Sequence, residues 1–420
     1  MKRRQFLAGA AITGIAGALA LKPEDEGQAY SQYFADLNRS LRTDGEGTPA
    51  LVLDLDILDQ NIEQLKSLLP KNKDYRIVAK SLPSIALLDY VMSKSNTNKL
   101  MVFHQPFLNQ VADKIPNADV LLGKPMPIQA ARTFYKKLPT HSAFKTQTQL
   151  QWLIDSKQRL MQYQTLAHEL EVPMNINIEI DVGLHRGGLS SAEELPELLD
   201  IIEHDELLTF SGFMGYDPHI VKIPAFIKSE QEAYEQSQAI YRSFVVKVSQ
   251  EYPSIKLSNL TLNGAGSPSL ALHNENSVAN ELSAGSCLVK PTDFDIQSLN
   301  QFQCAAFIAT PVIKKIDGTR VPAIESLSGL MQWIDPNISQ SYFIYGGHWR
   351  AKLQSPKGLQ DNQIYGFSTN QHLINGSDST ELKVDDYVFL RPTQSEFVFL
   401  QFGGIQAFRE GESFQQWQVL

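Results

Sequence analysis

The sequence has only two cysteines, Cys287 and Cys304, and no Cys-x-x-Cys pair. That excludes a disulfide framework and a thiolate metal knuckle, and two core thiols are expected rather than a bridge between them. No Lys/Arg-rich block interrupts a chain of 46 acidic and 37 basic residues with a formal net charge of −9. Nucleic acid is therefore not an expected partner. Charged residues make up 20% and hydrophobic residues 43% of the 420 positions, which excludes a disordered chain. No apolar run is long and strong enough for a stable membrane span in the mature protein.

The most apolar stretch is at the start. Residues 1–20 combine a basic opening (Lys2, Arg3, Arg4), an Ala/Gly-rich run of modest hydrophobicity and a small-residue site at Ala18-Leu19-Ala20. This is the grammar of a cleaved signal peptide. Arg3-Arg4-Gln5-Phe6-Leu7 resembles the twin-arginine export motif, with Lys2 where Ser or Thr is usual. The expectation is export to the periplasm. That route carries folded proteins and so suits one that acquires a cofactor in the cytoplasm. An ordinary signal or an uncleaved anchor is the plain alternative.

Residues 21–47 form a polar N-terminal segment with a short helix near residues 30–41, expected to pack on a β domain. From Thr48 short apolar runs alternate with helical periodicity. Strand-like segments fall at 50–55, 75–79, 100–103, 120–122, 175–180, 210–214 and 260–262, and a long amphipathic helix is expected at about 229–251. Short buried strands alternating with helices predict a parallel sheet, and about eight such units over residues 48–295 suit a (β/α)₈ barrel. After residue 295 the texture changes to strands (302–312, 342–345, 387–390, 396–402) broken by turn residues such as Asp317-Gly318. The fold expected is α/β: a TIM barrel, then a smaller, mostly β domain over 296–420.

Four motifs follow apolar strands. Lys80 ends Tyr75-Arg76-Ile77-Val78-Ala79. Strand C-termini are where barrels place chemistry, and partial desolvation there favours the free amine needed for imine formation. The plain alternative is a loop lysine reaching solvent. Asp181-Val182-Gly183-Leu184-His185-Arg186-Gly187-Gly188 presents Arg186 as a fixed cation in a loop whose glycines let backbone approach a ligand, or is simply a tight surface loop. Gly215-Tyr216-Asp217-Pro218-His219 offers Tyr216 or His219 as a donor, or is a turn built by Asp-Pro. Asn263-Gly264-Ala265-Gly266-Ser267-Pro268-Ser269 has the small residues and hydroxyls of a phosphate cradle, but not the spacing of a dinucleotide fingerprint or P-loop. One barrel would bring all four to the same face.

In this order the motifs resemble those of fold-type III pyridoxal-phosphate (PLP) enzymes, the alanine-racemase-like barrels, and most of all the D-threonine aldolase and D-serine dehydratase branch. The carrying residues are Thr48 to Asp54, Lys80, Asp181-Val182-Gly183 with Arg186, Tyr216, Gly264 to Ser267, and Glu281-Leu282-Ser283-Ala284-Gly285-Ser286. The resemblance implies that Lys80 forms the internal aldimine and exchanges protons at Cα. It implies that Arg186 faces the pyridine nitrogen, that Tyr216 acts at the cofactor, and that Gly264, Ala265, Gly266 and Ser267 hold the phosphate. It also implies a homodimer.

Three departures stand out. Ile77 and Val78 replace a Pro-His pair, Cys287 replaces a Tyr, and Gln394 and Glu396 occupy the place of a His-x-Cys or His-x-Asp metal pair. Loss of the divalent metal is expected, although Glu396 is a suitable ligand for a hard cation. The functional expectation is a lyase cleaving or dehydrating a small β-hydroxy D-amino acid. The alternatives are an amino-acid racemase, with Tyr342, Tyr345 or His348 as candidates for its second acid/base, and a non-catalytic PLP-binding protein.

Overall fold

The computed structural model describes residues 22–320, 325 and 328–420. The export reading of residues 1–20 lies outside the described residues. The chain divides into two compact units. One comprises Met1–Leu55, Ala306–Gln394 and Gly404–Gln416; the other comprises Asp56–Ala305, Ser395–Gly403 and Trp417–Leu420.

Along the chain come β1 (Ala50–Asp54), β2 (Asp74–Val78), β3 (Lys99–Val102), β4 (Asp119–Leu122), β5 (Leu150–Ile154), β6 (Met174–Glu179), β7 (Leu208–Met214), β8 (Thr261–Gly264) and β9 (Glu281–Ala284). Strands β2 to β9 close a barrel in sequence order, with every pair parallel and β9 returning to β2. Their apolar cores are almost wholly buried, as strands covered on both faces require. The helices between them are amphipathic. The longest, Glu230–Glu251, starts at the Ser229/Glu232 capping box.

The N-terminal half of the barrel interior is charged. Arg76 of β2 is fully enclosed and donates to Glu281 of β9 (Nη2–Oε2 2.9 Å), to Asp119 of β4 (Nη2–Oδ1 3.0 Å) and to the carbonyl of Leu100. Lys99 of β3 adds a second cation 2.9 Å from Glu281, and the Asn263 amide donates to Glu281 and Ser283. These cations hold the Glu281 carboxyl down at about 2 against the opposing effect of burial.

The second unit is built on β10 (Ala306–Asp317), β11 (Gln340–Tyr345), β12 (Ala351–Ser355), β13 (Gln360–Asp361), β14 (Gln371–Gly376), β15 (Tyr387–Pro392), β16 (Gly404–Arg409) and β17 (Glu412–Gln418). With β1 they form one sheet, ordered β13-β14-β11-β10-β1-β16-β17, while β15 pairs with β10 and β12. The N-terminal helix Gln32–Asp44 belongs to this unit. Asn38 and Arg42 both reach Asp386, at 3.1 and 2.8 Å, and Phe34 packs on Phe389.

Two expectations are corrected. Residues 50–54, read as the start of the barrel, form β1 of the sheet unit, antiparallel to β10 and parallel to β16. A buried Ala-Leu-Val-Leu-Asp run suits either sheet, and its partners lie far along the chain. Residues 396–402, read as a strand, form a short helix (Ser395–Val398) and a 3₁₀ turn (Phe399–Gln401) in the barrel unit. Adjacent Val398 and Phe399 are buried while Phe397 and Leu400 are exposed, a helical rather than an alternating pattern. Cys287 and Cys304 are not joined by a disulfide.

Candidate functional site at the barrel mouth

Lys80 lies in a single 3₁₀ turn, Ala79–Ser81, that closes β2. The turn sits directly on Gly285, just after β9. A Cβ there would come within 2.7 Å of the Val78 carbonyl and 3.1 Å of the Ser81 Cβ, so only glycine lets the turn settle. Lys80 Nζ donates to Glu396 Oε1 at 3.1 Å and lies 4.9 Å from the centre of the Phe103 ring. The two paired side chains keep 40% and 34% of their exposure. The lysine is therefore less desolvated than its strand predicted, and a carboxylate is its partner.

Contacts run from Lys80 around the mouth without a break. The Ser81 and Ser286 hydroxyls lie 2.9 Å apart, linking β2 to the turn after β9. Ser267, after β8, accepts the N–H groups of Gly285 and Cys287 at 3.2 and 3.1 Å. A hydroxyl that accepts two bonds still has its own proton to donate, and the Cys287 side chain is within its reach. Ala265 holds a left-handed backbone (φ +66°), and a Cβ on Gly266 would overlap the ring of Tyr216, which follows β7. Tyr216 in turn carries the Arg186 guanidinium 4.9 Å from its ring centre. The loop holding Arg186 after β6 is fixed by Asp181, which accepts the N–H groups of Gly183 and His185 (both 2.9 Å) and the His185 ring. The arc β6, β7, β8, β9, β2 thus joins Arg186, Tyr216, Gly266, Ser267 and Lys80. Gly264 ends β8 at its base.

The electrostatics vary along this arc. Burial raises the Tyr216 hydroxyl above the usual phenol range, opposed by Arg186. Burial likewise pushes the Cys287 thiol up to about 12, so it is no nucleophile at neutral pH. At the end of β6, burial and the neighbouring Asp155 raise Glu179 to about 7. Glu179 was not expected at the site, and Glu396, expected only in the place of a metal ligand, is instead the partner of Lys80. Glu179 is a lone acid at a strand end, and a pattern of acids closing successive strands (Asp155, Glu179, Asp181) was the available signal. Beneath Tyr216, Asp217 binds the Ser269 hydroxyl (2.5 Å) and His273 Nε2 (3.0 Å) in full burial. The serine donates to the acid rather than to the histidine, so this is a support for the loops and not a nucleophile triad. No group of three His, Cys, Asp or Glu residues able to hold a metal occurs among the described residues. Of the residues proposed for a second acid/base, Tyr342 is buried in the sheet unit with its hydroxyl 2.8 Å from Thr380, and His348 is stacked on Phe367.

No curated protein matches the sequence. The family model for the alanine racemase N-terminal domain matches residues 53–293. Among solved structures, D-threonine aldolase from Filomicrobium marinum is similar over 89% of this chain and 97% of its own, with a TM-score of 0.66 at 16% identity. D-threo-3-hydroxyaspartate dehydratase from Delftia sp. HT23 gives the same figures. Alanine racemase from Clostridium difficile 630 is similar over 88% of this chain and 98% of its own, with a TM-score of 0.66 at 13% identity. With more than half the chain matched and the closed parallel barrel in place, this chain belongs to the alanine racemase N-terminal-domain family, the fold-type III PLP barrels.

Proposed function

We propose that the chain is a PLP-dependent lyase acting on a small β-hydroxy D-amino acid, by aldol cleavage or by dehydration. The observation that carries this is the unbroken arc from the Lys80 amine to the Ser81–Ser286 pair, the Gly264–Ser267 loop, Tyr216 and Arg186. The residues fit the cofactor. A primary amine stands at a strand end, an aromatic ring flanks it, and a loop that tolerates no Cβ at Gly266 carries the Ser267 hydroxyl. Lys80, Arg186, Tyr216, Gly264, Ala265, Gly266 and Ser267 would hold it.

Bound there, PLP supplies an electron sink for the bond broken at the substrate's Cα. The chain's own groups do the rest. Lys80 Nζ holds and moves a proton, and Glu396 accepts from that nitrogen and keeps it aimed into the mouth. Arg186 places a permanent cation against Tyr216. Because Glu396 is engaged by Lys80 and Gln394 is no imidazole, the reading is of a metal-independent reaction. Homodimer assembly and export of the folded, cofactor-loaded protein are part of the same proposal. The second reading, a racemase, draws on the similarity to alanine racemase.

The test is a panel of β-hydroxy D-amino acids, with and without a chelator. Expected products are glycine with an aldehyde, or ammonia with a keto acid, at rates that chelation leaves unchanged. Interconversion of D- and L-alanine without such products would replace the lyase by a racemase. Cofactor binding without any turnover would reduce the chain to a PLP-binding protein.

A further inference from the structure

Glu396 is carried by the short helix Ser395–Val398, in which Ser395 and Val398 are fully buried, as is the following Phe399. These anchors fix the backbone of the acid between them, while its carboxylate stays partly exposed and lies 3.1 Å from Lys80 Nζ. In that hydrogen bond the amine donates and the carboxylate accepts. A carboxylate has lone pairs for several donors, so this one can take a second proton donor from the mouth. The neighbouring groups of the arc are poorer acceptors of a proton. Burial keeps the Tyr216 hydroxyl above the usual phenol range, helped by Asp217 and Glu396 and opposed by Arg186. The Cys287 thiol is pushed up to about 12 by burial. The Ser81 and Ser286 hydroxyls are bonded to each other.

We propose that Glu396 is the base that takes the β-hydroxyl proton of the substrate, and that the reaction is therefore aldol cleavage rather than dehydration. The inference rests on the lyase reading of the mouth. In a β-hydroxy amino acid the oxygen lies two carbons from the nitrogen. A substrate whose Cα is served by Lys80 Nζ thus brings its β-oxygen within reach of the acceptor beside that nitrogen. The step balances within the pair. The β-oxygen gives its proton to Glu396 and forms the second C–O bond of an aldehyde. The Cα–Cβ bond breaks, and its electron pair stays on Cα. Lys80 Nζ delivers a proton to Cα, which yields glycine, and Glu396 returns a proton to Nζ along their hydrogen bond. Dehydration asks for the opposite, an acid for the departing hydroxide. A carboxylate that accepts from a lysine amine has no proton to give.

The test uses the purified full chain loaded with PLP, as wild type, Glu396→Gln and Glu396→Asp. Two rates are compared: aldehyde release from D-threonine and β-phenylserine, and exchange of the glycine Cα proton in deuterated water, followed by NMR. The exchange needs Lys80 but no β-hydroxyl. Glu396→Gln is expected to slow aldehyde release at least about 100-fold, as loss of a general base does. Glycine exchange should change by no more than about fivefold, the weight of one partly exposed pair. Glu396→Asp, which keeps a carboxylate, should recover part of the loss. In the protein stripped of cofactor, Lys80 should be acylated about two- to fivefold faster in Glu396→Gln than in the wild type, read by peptide mass analysis. An unchanged acylation rate, or full aldehyde release by Glu396→Gln, overturns the proposal. Equal loss of both rates also overturns it, because Glu396 would then act only through Lys80. Ammonia and a keto acid as the wild-type products overturn it but leave the lyase reading standing. Glycine exchange with no product from any β-hydroxy amino acid sinks the lyase reading itself, and the proposal with it.

Discussion

At the N-terminal end of the barrel, Arg76 and Glu281 are both enclosed, and each guanidinium nitrogen of Arg76 donates to an acceptor. At the C-terminal mouth, Lys80 and Glu396 keep 40% and 34% of their exposure and share one hydrogen bond. Both are cation–carboxylate pairs, but burial gives them different work. Removing one partner of the enclosed pair strands a charge out of water, so that pair fixes strands β2, β3, β4 and β9 in register. The open pair can part at little cost, as the role proposed for Lys80 requires.

The largest expected effect breaks this contrast at its rigid end. Glu281→Gln should cost about 3–5 kcal/mol in urea unfolding, because Arg76 and Lys99 lose the enclosed carboxylate they share and keep only the more exposed Asp119 and Asp74. Glu396→Gln should cost no more than about 1 kcal/mol in the same measurement. Equal costs would show that the two ends do not differ as described.

Next is Gly266→Ala. The added methyl must displace the Tyr216 ring, an overpacking cost of about 1–3 kcal/mol. If the loop and ring together cradle the cofactor, PLP affinity by titration falls by at least tenfold. An unchanged affinity would remove Tyr216 and the loop from the site.

The pH dependence separates the ends further. Glu281 is depressed to about 2 in the fold, against about 4.3 when unfolded. Its contribution is thus fully present above the unfolded value and is lost as pH falls through the folded one. Melting curves between pH 2 and 5 should therefore be steeper for the wild type than for Glu281→Gln. Glu179 has the opposite sign. Raised to about 7, it favours the protonated fold, so stability drains away as pH rises from about 4.3 to 7. Glu179→Gln should flatten that limb. Because Glu179 is only half-buried, solvent screening makes this the smaller of the two pH effects.

The sequence made one kind of feature readable and hid another. Lys80, Arg186, Tyr216 and Gly264–Ser267 each follow a short apolar strand, and strands in order around a barrel bring local motifs together by topology alone. The Lys80–Glu396 bond spans 316 positions and depends on a four-residue helix read as a strand. Nothing local could reveal it. The place of β1 was hidden for a similar reason: its apolar run satisfies barrel and sheet equally, and only the distant β10 and β16 decide between them. The Arg76–Glu281 pair was passed over because charged residues inside a strand look like solvent-facing positions until the barrel closes around them.

The central claim is that Lys80 is the residue that binds PLP. The direct measurement is the visible absorption of purified protein, bleached by borohydride, followed by peptide mass analysis for the reduced adduct. A band in the wild type, the adduct on Lys80, and loss of both in a folded Lys80→Ala variant are expected. A Lys80→Ala protein that keeps the band, or an adduct on any other lysine, would contradict it.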